Sequence, residues 1–388
     1  MAFGIGASGE AIYLALSNAF IVIFYNQIIG LNNALIGLAI MLAMIGDAIS
    51  DPLVGIVSDR WRSRLGRRHP FLIAAPVPLA LALYFTFNPP QWLLDMSSQI
   101  ALFIWLSAWT IISRAILTLF NVPHLALGGE LSKDQHERSQ LFSANAIFGL
   151  ASGAGFATLA YAFFFADEVV RASDGAVVPG HLAAESYGPL ILTACALVII
   201  TIWTCAAGTA KEIPYLSKPE RQANRLKFVE FLLEITSTFK NRNYLVLLVG
   251  FFFFMIASGI YDTLNIHIAT YFWELKPSEI KLFPMVGAFA GFAGALLSPI
   301  LMRLLDRKRV MLVSLGITTI CAQLVVTLRL FGLMPENGDP LLLPLLLLNA
   351  AGFSFSIGMG LVAIPSMLGD IIDENELLTG ERQEGLFY

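Results

Sequence analysis

Apolar runs longer than the roughly 18 residues that mark a membrane-spanning helix recur along the whole of this chain. No other feature constrains the fold as strongly. A backbone in hydrocarbon must satisfy its own hydrogen bonds, which leaves helices or closed barrels, and runs of this length are helical. Only 13% of the 388 residues are charged, against 57% hydrophobic, and the mean hydropathy is +0.72. A soluble enzyme of this size needs a charged shell that such a composition does not supply. Soluble enzymes, collagen-like chains, disulfide-stapled domains and nucleic-acid-binding domains are thereby excluded. Cys195, Cys205 and Cys321 all fall within apolar runs and read as small core residues. No nucleophile–base or metal constellation points to an enzyme, and no pattern calls for a resident cofactor. The first apolar run continues past Ile29 without a charged start or a cleavage site, unlike a signal peptide.

The runs predict ten spans, at about 5–29, 34–58, 71–88, 99–127, 141–166, 188–210, 243–272, 280–305, 310–333 and 341–372. Basic residues set the orientation. The 2–3 loop (Arg60, Arg62, Arg64, Arg67, Arg68), the 4–5 loop (Lys133, Arg138) and the 6–7 loop (Lys211, Lys218, Arg221, Arg225, Lys227, Lys240, Arg242) lie on one side. So does the 8–9 region with Arg303, Arg307, Lys308 and Arg309. These total 18, against Arg171, Lys276 and Lys281 in the opposite loops. Basic loops stay cytoplasmic, so both termini are expected inside. Within the long 6–7 loop, 226–239 has helical spacing and is expected to lie along the membrane surface.

That loop divides the chain into two similar parts: 1–210, a connecting 211–242, and 243–388. Asp59-Arg60 closes span 2 and Asp306-Arg307 closes span 8. Pro123 followed by Glu130 in span 4 is echoed by Pro365 followed by Asp370 and Asp373 in span 10. Parallel repeats of this kind are the mark of the major facilitator architecture, two six-helix halves. Here the second half has four spans. The sequence stops at Leu386-Phe387-Tyr388, the entrance to an eleventh, so the last two spans are expected to be missing, although a ten-span protein is the alternative.

Ionisable residues inside a membrane are functional candidates by default. Asp47 and Asp51 are four residues apart on one face of span 2. Two carboxylates there need a bound cation, protonation or a basic partner, and oxygen ligands suit Na⁺, with Ser50 as a further donor. Arg114 in span 4 pairs with Asp47, Asp51 or Asp262, or clamps solute. Glu10, Asn121, Asp262 and Asn265 are the remaining solute candidates. His124, at i,i+3 from Asn121, reads equally well as an inter-helix hydrogen-bonder. Gly287, Gly291 and Gly294 are expected to let span 8 approach a neighbour closely.

Three motifs carry a resemblance. Residues 46–70 read GDAISDPLVGIVSDRWRSRLGRRHP. Residues 121–131 read NVPHLALGGEL, followed by DQHERSQL, and 370–385 read DIIDENELLTGERQEG. In order and spacing they resemble the glycoside–pentoside–hexuronide:cation symporters, the relatives of melibiose permease. The resemblance implies symport of a sugar or related solute with Na⁺ or H⁺ by alternating access, in a bacterial inner membrane, by a monomer. It makes Asp47 and Asp51 the cation carboxylates, with Ser50 where melibiose permease has asparagine. The sugar-binding positions depart: Ala11 beside Glu10, Asn121, Ala146 and Leu378 stand where charged residues are found in that permease. A lysolipid or amphiphile transporter of the same fold, or a non-transporting sensor or inert fragment, are the competing readings. Asp59, Arg60, Arg67 and Arg68, with Asp306 and Arg307, are expected to form a cytoplasmic latch.

Overall fold

The computed structural model describes residues 1–132, 135–171, 175–216 and 242–379; the side chains of 59–60, 135–136, 138–139, 242–243, 254–255, 257–258, 262, 365–366 and 368–379 fall outside that description. Helices in chain order are α1 (Ala2–Ile23), α2 (Asn33–Arg60), α3 (His69–Ala74), α4 (Pro76–Phe87), α5 (Gln91–Asp95), α6 (Gln99–Glu130), α7 (Gln135–Leu159) and α8 (Tyr187–Thr209). They continue with α9 (Arg242–His267), α10 (Pro277–Ile280), α11 (Leu282–Leu305), α12 (Arg307–Leu330) and α13 (Leu342–Thr379). Eight stretches among the described residues are long and apolar enough to cross a membrane. The two other expected spans are helical as well. That at 71–88 is broken at Ala75, ahead of Pro76, whose ring cannot continue the ladder. That at 243–272 runs as α9 and ends in a π-turn, Ile268–Phe272. The expected surface helix at 226–239 lies outside the described residues, as do Lys133, Lys218, Arg221, Arg225, Lys227, Lys240 and Arg382.

The chain forms two compact units. The first holds Met1–Arg221 together with Leu275–Lys281, and the second holds Gln222–Glu274 and Leu282–Tyr388. In the first, α1 is the central helix, packed on α7 and α8, while α6 packs on α2 and α4. Its core is built from fully buried Tyr13, Leu16, Phe20 and Tyr25 of the first helical stretch, with Phe120 of α6 and Tyr187 of α8. Phe20, Phe24 and Phe165 surround Tyr187 at ring separations of 4.8–6.2 Å, and Tyr161 packs on Phe20 and Phe165. Two of the buried tyrosine hydroxyls are satisfied by backbone, since Tyr25 donates to the Thr86 carbonyl and Tyr187 to that of His181.

In the second unit, α13 packs on α11 and α12. The approach is close. A Cβ on Gly294 would lie 2.0 Å from the Phe355 carbonyl oxygen, and one on Gly358 would lie 2.0 Å from that of Gly291. Only glycine admits backbones at that distance. The seam is also polar. Ser298 donates to the Met359 carbonyl, Ser314 to that of Ser356, and Thr318 shares a hydrogen bond with the Ser356 hydroxyl. Arg329, at the end of α12, donates to the Pro335 carbonyl and to Asn337.

Candidate functional site

The polar groups of the first unit converge on α6. Arg114, Thr118 and Asn121 stand at i, i+4 and i+7, so they form one stripe along that helix. Asp47 and Asp51 form an i,i+4 pair on α2, which packs against α6. Equal spacing on two packed helices sets up a ladder. On the first rung, Arg114 Nε and Nη2 both contact Asp47 Oδ2, at 2.6 and 2.5 Å. On the second, Thr118 Oγ1 donates to Asp51 Oδ1 at 2.8 Å. Ser50 Oγ lies 3.4 Å from both the Thr118 hydroxyl and the Asp47 carbonyl.

The two carboxylates therefore live in different surroundings. Asp47 is 22% exposed at its side chain and is neutralised by the guanidinium, which is 20% exposed. Asp51 is exposed and meets one neutral hydroxyl, that of Thr118, among the contacts described. Removing one partner of a well-buried ion pair costs about 3–5 kcal/mol, and partial exposure places Asp47–Arg114 below that range. Among the three partners the sequence left open for Arg114, the geometry selects Asp47.

A second cluster joins α6 to α1. Asn121 Nδ2 donates to Glu10 Oε1 at 2.9 Å, and Asn121 Oδ1 is buried without a partner among the described residues. One turn away, Tyr13 and Ser113 share a 2.7 Å hydrogen bond. His124 is fully buried, bonded through Nε2 to the Phe3 carbonyl and stacked on Phe120, which is the inter-helix role rather than a solute contact. Glu10, Asp47, Ser50, Asp51, Arg114 and Asn121 thus lie together in one unit. Asn265 is exposed on α9 of the other unit, and the Asp262 side chain lies outside the described residues. Both ring nitrogens of His267, two residues on, are buried and unpartnered among the described residues.

At the arginine-rich loop, Glu130 receives both Arg67 and Arg68, each at 2.9 Å. Arg68, 4% exposed, also donates to Ser58 at 2.7 Å. Asp306 has a left-handed backbone (φ 76°) and caps α12 by accepting from the Arg307 amide. Asp59 and Arg60 have side chains outside the described residues. Two functional candidates escaped the sequence: Thr118, which only its register with Asp51 reveals, and Glu130, whose place in the repeat pointed to it without assigning it to the arginines.

No cluster of three or more His, Cys, Asp or Glu side chains with metal-site geometry occurs among the described residues. What α2 and α6 offer is two carboxylates and two hydroxyls, an oxygen set that suits a hard cation rather than a soft transition metal.

Comparison with known proteins follows the same line. An uncharacterized symporter of Synechocystis is 34% identical over 39% of this chain and 28% of its own length. The uncharacterized symporter YnaJ of Bacillus subtilis is 26% identical over 98% of the chain and 76% of its own length. The putative glycoside/cation symporter YagG of Escherichia coli is 32% identical over 31% of the chain and 25% of its own length. For the first and third of these, the matched stretch spans less than a third of the relative. A mutant of the nucleoside transporter NupG has the same fold, with a TM-score of 0.66 at 14% identity over 100% of this chain and 86% of that one. The sequence pattern of the MFS/sugar transport proteins matches residues 2–388. An apolar helical chain with this fold, this ladder of intramembrane charges and a family match over nearly its whole length is an integral membrane protein of the MFS/sugar transport protein family.

Proposed function

We propose that this protein is a cation-coupled symporter that moves a sugar or glycoside across the bacterial inner membrane by alternating access. The observation that carries the reading is the α2–α6 ladder, in which two carboxylates sit one turn apart and, among the described residues, only one has a basic partner. Ionisable groups inside a membrane protein are costly and are functional candidates by default. The name of the YagG relative, a glycoside/cation symporter, supports the same substrate classes.

In this reading Asp51, Asp47, Ser50 and the Thr118 hydroxyl oxygen take the coupling cation, Na⁺ or H⁺. Glu10 and Asn121 serve the solute. A carboxylate acceptor next to an amide with an unpartnered oxygen suits the paired hydroxyls of a sugar ring. Asp262 and Asn265 are the solute candidates of the second half. The protein is a monomer with both termini in the cytoplasm, with halves 1–210 and 243–388 joined by 211–242. Arg67 and Arg68, held on Glu130, with Asp59 and Arg60, are the cytoplasmic-latch candidates of the first half, and Asp306 and Arg307 those of the second.

The test is solute-induced current in proteoliposomes, scanned over a glycoside panel under Na⁺ and proton gradients. A cation-dependent current that Asp51→Asn abolishes is expected. Current that persists unchanged in Asp51→Asn overturns the assignment of the cation site, and silence across the panel under both gradients overturns the sugar-symport reading.

A further inference from the structure

Arg114 stands where a second positive charge has to compete with any cation that the two aspartates bind. The ladder holds Asp47, Asp51 and one guanidinium, so its formal charge is −1 and a single monovalent ion completes it. Arg114 places both its contacts on Asp47 Oδ2 instead of one on each carboxylate oxygen. It is therefore not the two-oxygen fork that makes arginine–carboxylate pairs strongest. The pair is also about one-fifth exposed on both sides, so an incoming ion and water reach it. An ion drawn to Asp51 lies about one helical turn from the guanidinium held on Asp47, a like charge close enough to repel it.

We propose that Arg114 is a tethered cation that occupies Asp47 in the ion-free protein and that Na⁺, on binding between Asp47 and Asp51, displaces it. The released guanidinium is then the group that makes solute binding depend on the ion. By linkage, the factor by which bound Na⁺ tightens solute binding is also the factor by which bound solute tightens Na⁺ binding. This rests on the cation-symport reading and adds to it a reason for obligate coupling: an arginine committed to Asp47 is unavailable to solute.

Two measurements on the full chain in nanodiscs test it. Phenylglyoxal labelling of Arg114, read by mass spectrometry, should rise at least threefold when Na⁺ replaces an equal concentration of choline. In Asp47→Asn the labelling should be high with or without Na⁺. Equilibrium binding of radioactive Na⁺ should be at least tenfold tighter in Arg114→Gln than in wild type, with Arg114→Lys restoring the weaker binding. Labelling that is low and indifferent to Na⁺ in wild type, or Na⁺ binding equally weak in wild type and Arg114→Gln, overturns the proposal and makes the pair a static strut. Should Arg114→Gln fold poorly, the wild-type and Asp47→Asn labelling decide alone. The two readings fail separately: a Na⁺-indifferent Arg114 beside cation-driven glycoside uptake removes the displacement and leaves the symporter, whereas absent uptake under every gradient removes the symporter.

Discussion

Asp51 depends on a neutral hydroxyl where Asp47 has a guanidinium, and this difference predicts which substitutions the site tolerates. Thr118 donates at 2.8 Å to an exposed carboxylate, and its oxygen lone pairs remain available to an ion held by Asp51. A hydrogen bond to a charged group contributes about 1.5–3 kcal/mol, roughly ten- to a hundredfold in an equilibrium constant. Thr118→Ala should therefore raise the half-saturating Na⁺ concentration for uptake at least tenfold, while Thr118→Ser stays within about threefold of wild type. An alanine variant with an unchanged Na⁺ dependence would take Thr118 out of the ion site. The aspartates were legible in the sequence because a charge in an apolar run is conspicuous. Thr118 was not, because threonine is ordinary in such a run and only the shared i,i+4 register of α2 and α6 brings it to Asp51. The partner of Arg114 was undecidable among three aspartates for the same reason: helix pairing is a tertiary fact.

At the scale of elements, the ten apolar runs translate into helices because length and apolarity are local properties. What the runs did not convey is where the helices change character. Ala75 breaks the third expected span, and π-turns end three others at Phe24–Ile28, Ala160–Phe164 and Ile268–Phe272. Such departures come from packing that a hydropathy profile does not see. The glycines of α11 were legible as a small-residue face, yet the reciprocal Gly358 on α13 was not. That contact makes a sharp prediction. In Gly358→Val the new side chain begins 2.0 Å from the Gly291 carbonyl, a backbone atom that no rotamer change can move. Overpacking costs about 1–3 kcal/mol or more, so a fall of several degrees in the thermal midpoint of the purified protein is expected. Gly316→Ala on α12, where nothing lies within 4 Å, should leave that midpoint unchanged or slightly raised. Equal melting of the two variants would mean that α11 and α13 are not locked at this contact.

For the whole molecule, the boundary between the units does not follow the long polar loop alone. The sequence placed the division at 211–242, whereas Leu275–Lys281, which links α9 to α11, folds with the first unit. Leu275, Pro277 and Ile280 are buried, and α10 packs on the π-turn Ala160–Phe164. Asp167 clasps the segment: its two carboxylate oxygens accept from the Ser278 amide and hydroxyl, each at 2.8 Å. No periodicity announces this contact, because its partners are 111 residues apart. Burial raises the Asp167 pKa, but the two Ser278 bonds and the charges of Lys276 and Lys281 outweigh it, so the carboxyl titrates below its ordinary value. The sign of the consequence follows from linkage. A depressed folded-state pKa gives stability that is present above the unfolded value and is lost as pH falls through the folded one. The clasp should therefore hold at neutral pH and release in acid, below the ordinary aspartate pKa of about 3.9. Hydrogen exchange at 275–281, corrected for intrinsic rates, should be slow at pH 7 and accelerate over that acid range in wild type. In Asp167→Ala it should be fast at both extremes. Protection at pH 7 that survives Asp167→Ala would mean that the buried apolar side chains alone hold the segment and that the carboxylate is incidental to it.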